Sequence, residues 1–243
     1  MKILLYLLSV VVVSGLLSSS ALALTPLGPP RAGLKKEKSG LGFVFARSEM
    51  DLEVSGYGLT DELTDTESNV YLVRAGYGIS DGCEIYSLVG FSDISSEEFK
   101  GDSDVAWGFG SKFTFAKQGS VTWGGVFQFL HISSEDSVYQ EIPDFGMQEI
   151  EAEVQYFDIQ IAFGPTYTKD AFSIYGGPFL HFVEGDVEGR ALGVKVELDI
   201  EQKSEFGGYI GTQFKLNKST DVFMEYQMTG DASAIAGGIV WRF

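Results

Sequence analysis

From Gly40 to the C-terminus, apolar and polar positions alternate with a period of two in segment after segment, the spacing of strands whose two faces meet different surroundings. The stretch 104–116 shows it most cleanly: Val105, Trp107, Phe109, Phe113 and Phe115 fall on one face, and Ala106, Gly108, Gly110, Lys112 and Thr114 on the other. The pattern predicts ten strands, at about 41–54, 68–79, 83–93, 104–116, 121–132, 149–167, 171–184, 204–216, 221–229 and 233–243. Short connections at 80–82, 117–120, 168–170 and 217–220, made of turn-forming residues, alternate with long ones at 55–67, 94–103, 133–148 and 185–203. An even strand count puts both chain ends and the short turns on one side.

In a soluble sandwich the greasy face would be the core. In a membrane barrel the polarity is inverted, with the apolar face outward. Three features favour inversion. Tyr77, Phe115, Trp123, Phe172, Phe214 and Trp241 gather near the short turns, and Trp107, Phe129, Phe182 and Phe206 near the long connections, as two interfacial girdles would. The other face is rich in Gly and Ala, which suits a narrow lumen. Closure also removes exposed sheet edges. The expected fold is therefore all-β: a closed antiparallel transmembrane barrel of ten strands, with eight as the alternative.

The last strand, Gly238-Ile239-Val240-Trp241-Arg242-Phe243, ends on an aromatic residue. Through Gly238, Trp241 and Phe243 it resembles the C-terminal assembly signal of bacterial outer-membrane proteins, although Ala236 stands where a polar residue usually opens that pattern. With the strand and loop rhythm, nearly the whole chain resembles the small outer-membrane barrels of the OmpA, OmpX and opacity-protein type, without a peptidoglycan-binding domain. That resemblance implies a place in the cell outer membrane, short turns in the periplasm and long loops outside. It also implies insertion by the barrel-assembly machinery and contact with outer-membrane lipid and lipopolysaccharide. The role expected from it is non-enzymatic, structural or surface-interacting, with a small or partly plugged porin-like pore as the alternative.

Ahead of the barrel, Met1-Lys2, an apolar run from Ile3 to Leu17, and Ala21-Leu22-Ala23 follow the order of a secretory signal peptide. The apolar run is shorter than the ~20 residues of a spanning helix, so cleavage after Ala23 is expected. No other stretch is apolar enough to cross as a helix, which leaves strands to do so. The chain then divides into a signal peptide at 1–23, a flexible basic segment at 24–39 with Pro26, Pro29, Pro30, Arg31, Lys35, Lys36 and Lys38, and a barrel domain at 40–243. Cys83 is the single cysteine, so no intramolecular disulfide forms.

Charge sharpens the polarity of the two ends. The formal net charge is −17, yet regions 51–67, 93–104, 133–153 and 184–205 together hold 25 acidic residues against four basic ones. These acidic loops are expected to be solvated, with divalent cations as candidate partners between loops or to lipopolysaccharide phosphates. Asp61, Glu62, Asp65 and Glu67 lack the spacing of a calcium loop, so no metal ligand and no cofactor is assigned. An acidic surface excludes nucleic acid as a partner.

Within the expected lumen, Arg74, Lys112, Lys215 and Arg242 face Asp158 and Glu225, with Glu84 a further candidate. Unpaired buried charge is costly, so these residues are expected to pair and partly plug the interior, the alternative being a charged ion path. His131 and Ser133 resemble the His-x-Ser of outer-membrane lipid A deacylases, with Glu135 or Glu141 as the acid, which implies a lipid-modifying hydrolase as a further alternative. The Asn- and Gly-rich surroundings of that family are missing. Strand number and acidic loops are similar to the omptin proteases, whose Asp pair and Asp–His pair have no match here. His181 shares a face with Ser173, Tyr175 and Phe179 in the expected lumen, with no catalytic partner visible. No catalytic residue is assigned.

Overall fold

The computed structural model describes residues 24–56, 59–95, 104–142, 146–191, 194–202 and 204–243, with the backbone alone described towards the hairpin tips. Its strands are β1 (Ser39–Gly56), β2 (Leu59–Ser80), β3 (Cys83–Ser95), β4 (Asp104–Gln118), β5 (Val121–Ile142), β6 (Gly146–Lys169), β7 (Phe172–Ala191), β8 (Val194–Gln202), β9 (Phe206–Lys215), β10 (Thr220–Met228) and β11 (Ala232–Arg242). Ten of these form an antiparallel wall in the order β1 to β7, then β9, β10 and β11. β11 pairs back onto β1 from Gly40↔Arg242 to Met50↔Ala232. Reciprocal bonds between Ser39 and Phe243, at 3.2 and 3.0 Å, add one further rung. The barrel is closed.

β8 is the strand beyond the ten. It forms a hairpin with β7 and then pairs with the outer part of β1, Leu52↔Gln202 to Ser55↔Asp199. β10 and β11 stop at Met228 and Ala232 while β1 and β7 run on, so β8 closes the ring above them. Stretches read as loops from their charge are in large part paired strand. The reason lies in the alternation, which continues through the acids: Val194, Val196, Leu198 and Ile200 interleave with Lys195, Glu197, Asp199 and Glu201. Acidic residues weaken a strand little where one face is in water.

The two faces separate sharply. Trp107, Phe109, Phe113, Phe163, Ile210 and Met224 are exposed on the outside, whereas Val44, Leu72, Leu88, Val126, Leu130 and Phe179 are buried within. Exposed apolar area on this scale, wrapped around a cylinder that pairs its own backbone, is what hydrocarbon demands and water penalises. No helix among the described residues is long and apolar enough to cross a membrane; the strands are the spanning elements. The chain is a transmembrane β-barrel.

A correction concerns residues 24–39. The part of that segment from Leu24 to Leu34, expected to be a flexible lead-in, enters the interior, with residues 24–30 and Leu34 buried, while Lys35, Lys36, Glu37 and Lys38 are exposed. Eight strands leave a lumen that wall side chains can fill. Ten leave more, and the N-terminal segment occupies it.

Candidate functional site: a charged and plugged lumen

A chain segment inside a barrel must place its backbone donors somewhere. Pro26, Pro29 and Pro30 have no N–H, which removes three of them. Leu27 and Gly28 donate to the two oxygens of Glu225 at 2.8 and 2.9 Å. Gly33 and Leu34 both donate to Glu84 Oε2 at 2.7 Å. Ala32 donates to Thr114 Oγ1 at 3.1 Å, and Arg31 Nη2 to Gln213 Oε1 at 3.0 Å. In return the Pro29 carbonyl accepts from Lys112 Nζ at 3.2 Å, and the Thr25 carbonyl from Gln227 Nε2 at 2.9 Å. Two wall carboxylates on opposite strands thus each grip two consecutive amides of the plug. Leu24, Leu27 and Leu34 fill the space between. The void left among plug, Tyr86, Phe223 and Arg242 is about 60 Å³, room for about two waters.

The wall charges are compensated in pairs. Arg74 Nη2 lies 2.6 Å from Glu84 Oε1 and its guanidinium sits 4.0 Å over the Tyr86 ring. Arg242 binds Asp221 through both terminal nitrogens, and Gln213 Nε2 reaches the same carboxylate at 3.0 Å. Buried Lys112, held by the Pro29 carbonyl, lies within electrostatic reach of both Glu84 and Glu225. His181 Nε2 comes within 3.0 Å of Asp158 Oδ1 without forming a hydrogen bond to it.

Of the residues the sequence places in this network, Arg74, Lys112, Asp158 and Glu225 are buried, Glu84 with them, and Arg242 is half-buried. Lys215 is a correction. It is the last residue of β9 and is exposed, in a basic cleft at the short-turn mouth shared with Lys35, Lys38, Lys218 and Arg242, because at the rim its long side chain reaches water. Asp221 belongs to the network and was not expected there. It is the second residue of β10, next to the turn at 216–219 and at the very edge of the expected strand 221–229.

The terminal residues lie on the closing seam. Gly238 pairs with Val44 on one side and Phe223 on the other, and Trp241 and Phe243 point outward, exposed. His131 is also on the outside, its ring 5.4 Å from that of Trp107 and 4.9 Å from that of Phe157. Its Nδ1 has no hydrogen-bond partner. The side chains of Glu135, Glu141, Asp61, Glu62, Asp65 and Glu67 lie outside the described residues.

Above the belt, β6, β7 and β8 bring acids into register. Glu153 faces Glu188, which faces Glu197; Asp186 faces Asp199 one step below. Lys195 pairs with Glu188 and approaches Glu197 at 3.7 Å. The Asp186 carboxyl is pushed above the usual carboxylate range, first by partial burial and then by Glu197, Glu188, Glu153 and Asp199. This face continues below into exposed Phe157, so the acids stand just outside the apolar belt. Among the described residues no group of three metal-binding side chains converges.

No protein-family model and no curated protein matches the sequence. Among solved structures, the chain is similar to the outer membrane protease OmpT from Escherichia coli, at 8% identity and a TM-score of 0.49 over 90% of this chain and 99% of that one. It is also similar to the COG4313 outer membrane channel from Pseudomonas putida, at 11% identity and a TM-score of 0.44 over 90% and 100%. A third similarity is to Ail, the attachment invasion locus protein of Yersinia pestis, at 14% identity and a TM-score of 0.35 over 86% and 99%. The barrel assignment rests on the strand pairing and surface described above.

Proposed function

We propose that this chain is a non-enzymatic barrel, shut to solutes by its own N-terminal segment, whose acidic outer hairpins meet lipopolysaccharide and its counter-cations. The observation that carries the reading is the double grip of Glu84 and Glu225 on the plug: a continuous open path does not coexist with a segment held at both places. The Glu153, Asp186, Glu188, Glu197 and Asp199 array lies at the height where phosphates and divalent cations of the outer leaflet would meet it. Against a hydrolase, the His131 ring packs against Trp107 and Phe157, and Asp158 and His181 are both buried. Gly238, Trp241 and Phe243 serve, in this reading, to deliver the chain to the barrel-assembly machinery.

Planar-bilayer recording tests the proposal. The full barrel is expected to be silent, and a variant lacking residues 24–36 to open steady conductance steps. Steady steps from the full chain would overturn the closed reading in favour of a pore.

A further inference from the structure

Among the described residues, Asp158 is the lumen carboxylate whose one ion-pair contact is a histidine rather than an arginine. Glu84 has Arg74, Asp221 has Arg242, and Lys112 serves Glu84 and Glu225. Asp158, only 1% exposed, has His181 as its one ion-pair partner among the described residues, and no hydrogen bond joins them. Among the buried acceptors without a donor, three lie on neighbouring wall residues here: Asp158 Oδ1, Gln160 Oε1 and Gln227 Oε1. Buried polar atoms are rarely left so.

These acceptors gather around one residue of the plug. Thr25 Oγ1 contacts Asp158 Oδ2 at 3.5 Å and accepts from Gln128 Nε2 at 2.8 Å; the Thr25 carbonyl accepts from Gln227 Nε2. Gln160 Nε2 in turn reaches Asp158 Oδ2 at 3.1 Å. The residue before Thr25 is Leu24, with no exposed surface, and successive Cα atoms are only about 3.8 Å apart. The cut expected from the sequence falls just before Leu24.

We propose that Leu24 is the mature N-terminus and that its α-ammonium docks in this acceptor cluster, with Asp158 as its counter-ion. Hydrolysis of the Ala23–Leu24 peptide bond by an export endopeptidase, with water as co-reactant, leaves a carboxylate on Ala23 and an ammonium on Leu24. The ammonium brings three N–H donors, enough for these three acceptors. An α-amine with a pKa near ~8 is charged at neutral pH, and such a charge is stable in the interior only beside an opposite one. Processing thereby creates the group that locks the inner end of the plug.

The inference rests on the seated plug of the preceding section, and the readouts separate the two. Barrel purified from outer membranes is expected to begin at Leu24 by intact mass and N-terminal sequencing. An amine-acylating reagent near neutral pH should modify the Leu24 amine at least on the order of tenfold more slowly in the folded barrel than after unfolding. Asp158→Asn should abolish that protection. So should insertion of one Gly before Leu24, which alters no wall residue and moves the ammonium out of the cluster. Heat-modified gel migration shows which variants remain folded. A different first residue, a Leu24 amine acylated as fast in the folded barrel as in the unfolded one, or protection untouched by both variants would overturn the inference. A silent barrel with a freely acylated amine sinks this inference alone; a conducting one sinks the closed reading.

Discussion

Arg74 holds Glu84 through one carboxylate oxygen at 2.6 Å and leaves the other free to accept the amides of Gly33 and Leu34. An ion pair within the wall is thereby also the anchor of the plug. Each half restrains the other, since a carboxylate turned towards the plug without Arg74 would be a buried charge stripped of its ion-pair partner.

Glu84→Leu is expected to cost about 3–5 kcal/mol, because Arg74 remains buried and uncompensated. The double variant Arg74→Leu, Glu84→Leu should recover much of that loss and still release the plug. Urea midpoints in detergent measure the first effect and bilayer conductance the second. A double variant less stable than Glu84→Leu would refute the coupling.

Gly78 lies against the plug where it leaves the lumen. A Cβ there would stand 2.0 Å from the Lys35 carbonyl oxygen, which cannot be relieved by a side-chain rotation. Gly78→Ala should dislodge the plug while leaving the wall intact, exposing the Arg31–Ala32 bond to trypsin. The check is the time course of cleavage in the folded barrel, with cleavage at the native rate counting against the contact.

Asp186 lies outside the membrane and binds its proton more tightly folded than unfolded, since its carboxyl is pushed up. The β7–β8 hairpin therefore gains stability as pH falls into the raised titration range and loses it as pH rises through that range. Backbone amides of β8, corrected for intrinsic exchange, should be better protected within the raised titration range than at a pH well above it. Asp186→Asn should flatten the dependence.

Phe109, mid-strand and 50% exposed on the outer face, should tolerate a cation poorly. Phe109→Arg is expected to cost about 2–4 kcal/mol when folded into lipid vesicles, and Phe115→Arg, near the short-turn rim, about 0–1 kcal/mol. Equal costs at the two depths would contradict the placement of the belt.

The wall was legible in the sequence because a strand's period of two exposes its faces directly: Val105 to Phe115 outward, Lys112 inward. The same rule puts Arg74, Glu84, Asp158 and Glu225 inside. The outer hairpins were harder to see, since the density of Glu and Asp from 184 to 205 masks an alternation that is nonetheless there. The plug was hidden for another reason. Pro26, Pro29 and Pro30 give it no periodicity, and its partner Glu225 is 198 residues from Leu27, so nothing local announces the contact. Its one signal is apolar Leu24, Leu27 and Leu34 set among residues short of backbone donors.

β1 is shared between two partners, β11 along its lower half and β8 along its upper. The barrel cannot therefore be finished by zipping its last strand onto its first from end to end. Once β8 has latched onto Leu52–Ser55, the final hairpin has to slide into a slot of fixed height beneath it. Any sideways parting of β1 from β11 is a window with a lintel: it can open towards the short-turn rim, and it stops at the latch.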